Sequence, residues 1–78
     1  MDAPPPVSLD LKGLKCPLPA LRTRKAMGKL GAGEEIVVVC TDPLSMIDIP
    51  HFVRENGHAL IAQERDETTF TFHIRKGG

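Results

Sequence analysis

Cys16 has the clearest capacity for chemistry in this sequence. It stands directly before Pro17, and a second proline, Pro19, follows two residues later. Prolines are tolerated in the first turn of a helix because the N–H groups there have no partner, so Cys16 is predicted to lie where a helix begins. The partial positive charge of that end should lower the thiol pKa from about 8.5 towards neutrality. We therefore expect an exposed thiolate nucleophile, with a packed, inert thiol as the alternative.

Charged side chains are unevenly distributed around this cysteine. Residues 11–33 carry six basic side chains and no acid, a net charge of +6, whereas residues 34–73 carry eight acids and two arginines, a net charge of −6. A basic ridge with an apolar edge is predicted on the helix, formed by Arg22, Lys25 and Lys29 with Leu18 and Leu21 beside them. The alternative is an ordinary solvated helix face.

The remaining candidate residues do not indicate a metal centre. Cys40 ends an apolar run, so it is interpreted as a buried, inert thiol rather than a resolving cysteine. Asp48 is interpreted as a helix cap rather than an acid catalyst, and the role of Asp42 stays open. No metal site is predicted, because the three histidines lie on different predicted elements without ligand spacing to either cysteine. These histidines are His51, His58 and His73. No cofactor is predicted either.

A strand and a helix must position Cys16. Residues 7–11 alternate apolar and polar side chains, as in a strand with one buried face, and Gly13 breaks the pattern. Residues 17–30 change to helical spacing, and Gly31 and Gly33 are expected to end that helix. The predicted buried face of the helix consists of Ala20, Thr23, Met27 and Leu30.

The rest of the chain predicts a strand, a second helix and a hairpin. Residues 36–40 are apolar at every position, which is typical of an interior strand. The second helix is predicted from about Asp48 to Asn56, and Gly57 should end it. Because Pro50 should delay the start of this helix, a turn is predicted over residues 43–47. Residues 59–63 and 69–74 form the predicted hairpin. The order βαβαββ predicts an α/β (α+β) two-layer sandwich with both helices on one face of the sheet.

Length and composition limit the function classes. A chain of 78 residues makes one small domain without a deep cleft. Zero net charge, with three phenylalanines as the only aromatic side chains, argues against a nucleic-acid partner. Two cysteines and no leader indicate the reducing cytoplasm, and the longest apolar run is too short to span a membrane. We expect a flexible Pro-rich segment over residues 1–6 and a single domain over 7–78, most simply as a monomer.

Residues 9–19, Leu-Asp-Leu-Lys-Gly-Leu-Lys-Cys-Pro-Leu-Pro, resemble the TusA/SirA family of sulfur-carrier proteins, whose Cys-Pro-x-Pro motif opens the first helix. Other segments are also similar to that family, so the resemblance extends over nearly everything after the prolines. These segments are Arg24-Lys25, Asp42-Pro43, Asp48-Ile49-Pro50-x-Phe52 and Ile74-Arg75-Lys76-Gly77-Gly78.

The resemblance implies a mixed four-stranded sheet and a persulfide carried on Cys16. Gly13, Pro17 and Pro19 would shape the start of the helix. Sulfur would come from a cysteine desulfurase or rhodanese-type donor and pass to an acceptor protein for tRNA thiolation, sulfur oxidation or cofactor synthesis, without direct binding to nucleic acid or membrane. The resemblance and the basic ridge together predict partner docking by Leu18, Leu21, Arg22, Arg24, Lys25 and Asp42.

Two other functions stay open on the sequence. Gly77-Gly78 could carry sulfur as a C-terminal thiocarboxylate, as ubiquitin-like sulfur carriers do, although the element order argues against their fold. The chain could also be a regulatory or interaction module that uses its basic helix face without sulfur chemistry.

Overall fold

Strands and helices alternate along the first part of the chain and end in a hairpin. The computed structural model describes residues 5–77, and β1 begins at Val7 after an exposed Pro5 and Pro6. Most of the predicted leader, residues 1–4, lies outside the described residues. The elements are β1 (Val7–Leu11), α1 (Leu18–Met27), β2 (Glu35–Cys40), α2 (Ser45–Glu55), β3 (Ala59–Arg65) and β4 (Phe70–Arg75).

The four strands form one mixed sheet in the order β1-β2-β4-β3. β1 and β2 are parallel, with Leu11 opposite Cys40, and β4 is antiparallel to both β2 and β3. Because β1 and β2 are parallel and a helix follows each, both helices begin at the edge of the sheet where these two strands end. That edge brings the residues before α1 and before α2 together.

The core lies on one face of the sheet and is covered by both helices. Strand residues that are opposite one another in the register are buried together, such as Ile36 with Ile74 and Val38 with Phe72. Met27 from α1 and Ile49 from α2 complete the same cluster. The structure therefore confirms the two-layer α+β sandwich with a mixed sheet and both helices on one face.

α1 is shorter than its sequence pattern predicts. It ends at Met27 with Gly28 as its C-terminal cap, not at residue 30. The next residues form tighter turns, in which Leu30 N–H donates to the Met27 carbonyl, and Lys76 Nζ donates to the same carbonyl at 2.8 Å. Both donors satisfy the Met27 carbonyl, which a further helical turn would otherwise use. Lys29 lies beyond the helix, so the basic ridge predicted on α1 does not include it as a helical residue.

α2 begins earlier than predicted. Its first residue is Ser45, so the prediction of a turn over residues 43–47 is wrong, and Pro50 lies inside the helix. The preceding Asp42 starts the helix, since its carboxylate accepts the Leu44 N–H at 3.1 Å and its carbonyl accepts the Ser45 N–H. Complete burial of Ile49 offsets the backbone hydrogen bond that Pro50 cannot donate.

The hairpin and the tail close the fold. β3 extends to Arg65, two residues beyond the prediction, with a register shift between Leu60 and Ala62. α2 ends before Gly57, as predicted, and this glycine adopts a φ of +71°. The tail packs against the same turn, where Gly77 N–H donates to His58 Nδ1 at 3.0 Å.

Candidate functional site

The thiol of Cys16 is exposed at the edge where α1 begins. Pro17 is the N-cap of α1, one position earlier than the first helical position predicted for it, and Pro19 lies in the first turn. The Cys16 Sγ donates to Oδ2 of Asp48 at 2.8 Å. Because α2 starts at Ser45, Asp48 is the fourth residue of that helix, and it points its carboxylate at the thiol instead of capping the helix.

Asp42 connects the Cys16 loop to the start of α2. One carboxylate oxygen accepts the backbone N–H of Cys16, and the other accepts the N–H of Leu44. The side chain is half-buried between the two loops. Asp42 therefore sets the distance between the thiol and the first turn of α2. Its predicted contact with a partner protein would have to use the exposed part of the side chain.

Gly13 supplies a second link between the two loops. Its φ of +86° is a left-handed conformation that side-chain-bearing residues rarely adopt. In that conformation the Gly13 N–H donates to Oγ1 of Thr41 at 2.8 Å. Together with the Cys16–Asp42 hydrogen bond, this contact fixes the β1–α1 loop against the β2–α2 loop and so orients the cysteine.

The electrostatics of Cys16 differ from the sequence-based expectation. The hydrogen bond to Asp48 raises the pKa of the Cys16 thiol, and partial desolvation and the negative charges of Asp48 and Asp42 act in the same direction. The prediction of a pKa lowered by the helix end is therefore wrong. A carboxylate at hydrogen-bond distance stabilises the protonated thiol, whereas the helix end alone would favour the thiolate.

Exposed apolar side chains lie at the starts of both helices, the same helix ends that bring Cys16 and Asp48 together. Leu18 and Leu21 on α1 are 42% and 52% exposed, as the predicted apolar edge requires. Across from them, Leu44 and Ile47 at the start of α2 are 50% and 67% exposed. We call these four leucine and isoleucine side chains the apolar rim.

A shallow cavity lies behind the Cys16 loop. Its volume is about 410 Å³, and it opens between the two loops that precede the helices. The lining residues are Gly13, Leu14, Lys15, Thr41, Asp42 and Pro43. Cys16 is not part of this lining, so the cavity is a groove beside the cysteine and not a pocket around its thiol.

The predicted basic docking residues lie on the exposed part of α1. Arg22, Arg24 and Lys25 are all exposed, and none of them is within salt-bridge distance of a carboxylate in residues 5–77. Arg24 and Lys25 occupy the last turn, where positive charge complements the helix dipole. That turn is about 10 Å along the helix axis from its start. The structure thus places Arg22 nearer to the thiol than the other two.

Cys40 takes no part in this site. Its side chain has no exposed surface, and burial raises the pKa of its thiol. This confirms the expectation that Cys40 is buried. In the part of the chain that the structure describes, no three His, Cys, Asp or Glu side chains are grouped so as to hold a metal ion.

Comparisons with known proteins connect this geometry to sulfur chemistry. The family model described as sulfurtransferase TusA matches residues 7–76. The chain belongs to the TusA sulfurtransferase family. Its fold is similar to the crystal structure of a SirA-like protein from Desulfitobacterium hafniense, with a TM-score of 0.79 and 26% identity over 92% of this chain and 99% of that one.

Membership of the TusA family confirms the resemblance seen in the sequence. The family match covers β1 through β4, so it includes Cys16, both helices and the two loops that orient the thiol. Between residues 5 and 77, no helix is long and apolar enough to cross a membrane.

The sequence pattern does not reveal the positions that three residues take at the site. It favours a helix cap for Asp48 and a turn for Leu44 and Ile47. All three follow from the early start of α2. The signal in the sequence is Asp42-Pro43 followed by Leu44, since an aspartate two residues before the N-cap of a helix can accept the first N–H groups.

Proposed function

We propose that this protein is a sulfur carrier that holds sulfane sulfur as a persulfide on Cys16. The observation that carries the proposal is an exposed thiol at the first turn of a helix, in a chain of the TusA sulfurtransferase family. The other cysteine is buried, so Cys16 is the thiol that a partner protein can reach.

The transfer is a thiol–persulfide exchange. After Cys16 loses its proton, its sulfur attacks the terminal sulfur of a donor persulfide. The donor S–S bond breaks, and its electron pair leaves with the donor thiolate, which takes up a proton. Cys16 then holds the terminal sulfur, and an acceptor thiolate removes it by the same reaction. No net oxidation occurs, so the exchange needs neither metal nor cofactor.

The surroundings of Cys16 support exchange with large partners. A thiol at an exposed edge can enter the active site of another protein, whereas a thiol in a deep pocket cannot. The apolar rim provides surface that a partner would bury, and Arg22, Arg24 and Lys25 provide positive charge along α1. The proposed donor is a cysteine desulfurase or rhodanese-type protein. The proposed acceptor is a protein of tRNA thiolation, sulfur oxidation or cofactor synthesis in the cytoplasm.

Intact-mass spectrometry after incubation with a cysteine desulfurase and cysteine tests the proposal. We expect an adduct with the mass of one or more sulfur atoms, which dithiothreitol removes. The Cys40→Ala variant should keep the adduct and the Cys16→Ser variant should lose it. An adduct that persists without Cys16 would show that sulfur is carried elsewhere.

The tail gives no support to a thiocarboxylate carrier. Gly77 is half-buried, and its N–H is bound to His58, while the Lys76 backbone pairs with Gly33 and Glu34. An activating enzyme would need this segment extended, and Gly78 lies outside the described residues. Deletion of residues 77–78 should leave sulfur loading intact; complete loss of loading would favour the thiocarboxylate instead.

A further inference from the structure

Two carboxylates face Cys16 from the loop before α2 and from α2 itself. Asp48 lies 32 residues away in the chain and accepts the S–H hydrogen bond, while Asp42 accepts the Cys16 backbone N–H. Asp48 is half-buried in α2, and the next residue, Ile49, is fully buried and packs that turn of the helix into the core. Two hydrogen bonds, one from the thiol and one from the backbone N–H, therefore connect Cys16 to these carboxylates.

The two carboxylates stabilise the empty carrier and destabilise the loaded carrier. An empty Cys16 with its proton donates to the Asp48 carboxylate and is stabilised. A loaded Cys16 bears a persulfide, which ionises more readily than a thiol and then has no proton to donate. The persulfide anion lies beside the negative charges of Asp48 and Asp42, and like charges at this distance repel.

We propose that Asp48 weakens the hold of Cys16 on sulfur and thereby favours its release to the acceptor. This inference rests on the proposed function. In the release step, an acceptor thiolate attacks the terminal sulfur of the Cys16 persulfide. The S–S bond breaks, and its electron pair goes to the Cys16 sulfur. A proton from water then restores the thiol, and the hydrogen bond to Asp48 re-forms.

Other charged groups near the thiol do not cancel this effect. The charged side chains that act on Cys16 from the elements around it, Asp48 on α2 and Asp42 before it, are both negative. Lys15 precedes Cys16 in the chain, but it is exposed and lines the cavity behind the loop. The partial positive charge at the start of α1 favours an anion, yet the thiol pKa is still raised.

The experiment measures how strongly Cys16 holds sulfur with and without the carboxylate. Carrier with the Cys40→Ala background is equilibrated with glutathione persulfide and glutathione, and the ratio of loaded to empty protein is read by intact mass. The test variant Asp48→Asn keeps the side-chain shape, and Asp48→Ser is a second neutral variant in case the first folds poorly. Glu55→Gln is the matched control, since it removes a carboxylate from the exposed far end of the same helix.

We expect the ratio of loaded to empty carrier to rise about tenfold in both Asp48 variants, because an exposed hydrogen bond with a charged acceptor is lost. The pH at which iodoacetamide alkylation of Cys16 reaches half its maximal rate should fall in the same variants, since the hydrogen bond to Asp48 raises the pKa of the thiol. Glu55→Gln should change neither quantity. A purely structural role for Asp48 would not move the pH profile.

The possible failures are distinguishable. If the wild-type carrier loads sulfur and the ratio in the Asp48 variants is unchanged or lower, the inference is overturned and the proposed function stands. A shift of the alkylation profile without a change in the ratio also overturns it. If the wild-type carrier takes up no sulfur from any donor, both the proposed function and the inference are overturned.

Discussion

Removal of the Asp42 carboxylate should loosen the junction between the two loops that hold Cys16. In Asp42→Asn one acceptor oxygen becomes an amide nitrogen, which cannot accept a hydrogen bond. The remaining oxygen can pair with the N–H of Cys16 or with that of Leu44, but each wild-type oxygen accepts one of them. One backbone N–H at the site is left without its partner.

The expected cost follows from these contacts. A hydrogen bond to a charged acceptor stabilises a protein by about 1.5–3 kcal/mol. Because Asp42 is half-buried, water replaces part of that energy, and the free energy of unfolding should fall by roughly 1–2 kcal/mol. For a domain of this size each kcal/mol corresponds to about 4–8 °C in Tm. The Tm should therefore fall by roughly 4–16 °C.

Urea denaturation followed by circular dichroism measures this change directly. Asp10→Asn is the matched control, since Asp10 is exposed and, among residues 5–77, its carboxylate accepts only the N–H of Lys12, two residues away. That variant should lose less than about 0.5 kcal/mol. Equal stabilities of the Asp42→Asn and Asp10→Asn variants would refute the assignment of Asp42 as the link between the loops.

Three further predictions concern the core, the thiol and the sheet. Ile49→Ala should lower the free energy of unfolding, measured by urea denaturation, by about 2–5 kcal/mol because Ile49 is fully buried. Ile47→Ala changes a 67% exposed side chain and should lower it by less than about 0.5 kcal/mol. Similar losses in the two variants would contradict the burial of this face of α2. Because the thiol pKa of Cys16 is raised, Cys16 should react with iodoacetamide at pH 7 more slowly than free cysteine does, and the rate should rise at alkaline pH. If the alkylation rate of Cys16 reaches its inflection at a lower pH than that of free cysteine, the role of the nearby carboxylates is contradicted. Glu35 accepts a 2.6 Å hydrogen bond from His73, which lowers the pKa of Glu35. The stabilising effect of this contact is present above the unfolded glutamate pKa and is lost as pH falls through the lower folded value. Glu35→Gln should therefore flatten the acid side of a curve of stability against pH, and an unchanged curve would contradict this.

Much of the fold was readable because local patterns agreed with the final packing. The alternation over residues 7–11 and 69–74 appears as β1 and β4, and the apolar run before Cys40 became the interior strand β2. The βαβαββ order then leaves few ways to bury one face of the sheet, and the two-layer sandwich is the common one. The Cys-Pro-x-Pro spacing also located the thiol at the start of α1, since prolines are compatible with a first turn.

Helix boundaries were less predictable, because contacts distant in the sequence decide them. Pro50 predicted a late start for α2, but the carboxylate of Asp42 and the burial of Ile49 place the start at Ser45. At the end of α1 the Met27 carbonyl accepts a hydrogen bond from Lys76, which lies near the far end of the chain. A local pattern contains no information about such partners.

The sequence by itself determined the family, the element order and the position of Cys16 at the start of the first helix, since each depends on residue types and spacing along the chain. Only the tertiary structure decided what the thiol faces. Parallel pairing of β1 with β2 brings the starts of both helices to one edge, and the early start of α2 then directs Asp48 at Cys16. A carboxylate 32 residues away in the chain reverses the pKa shift expected from the helix end alone, because its full charge at hydrogen-bond distance exceeds the partial charge of the helix terminus.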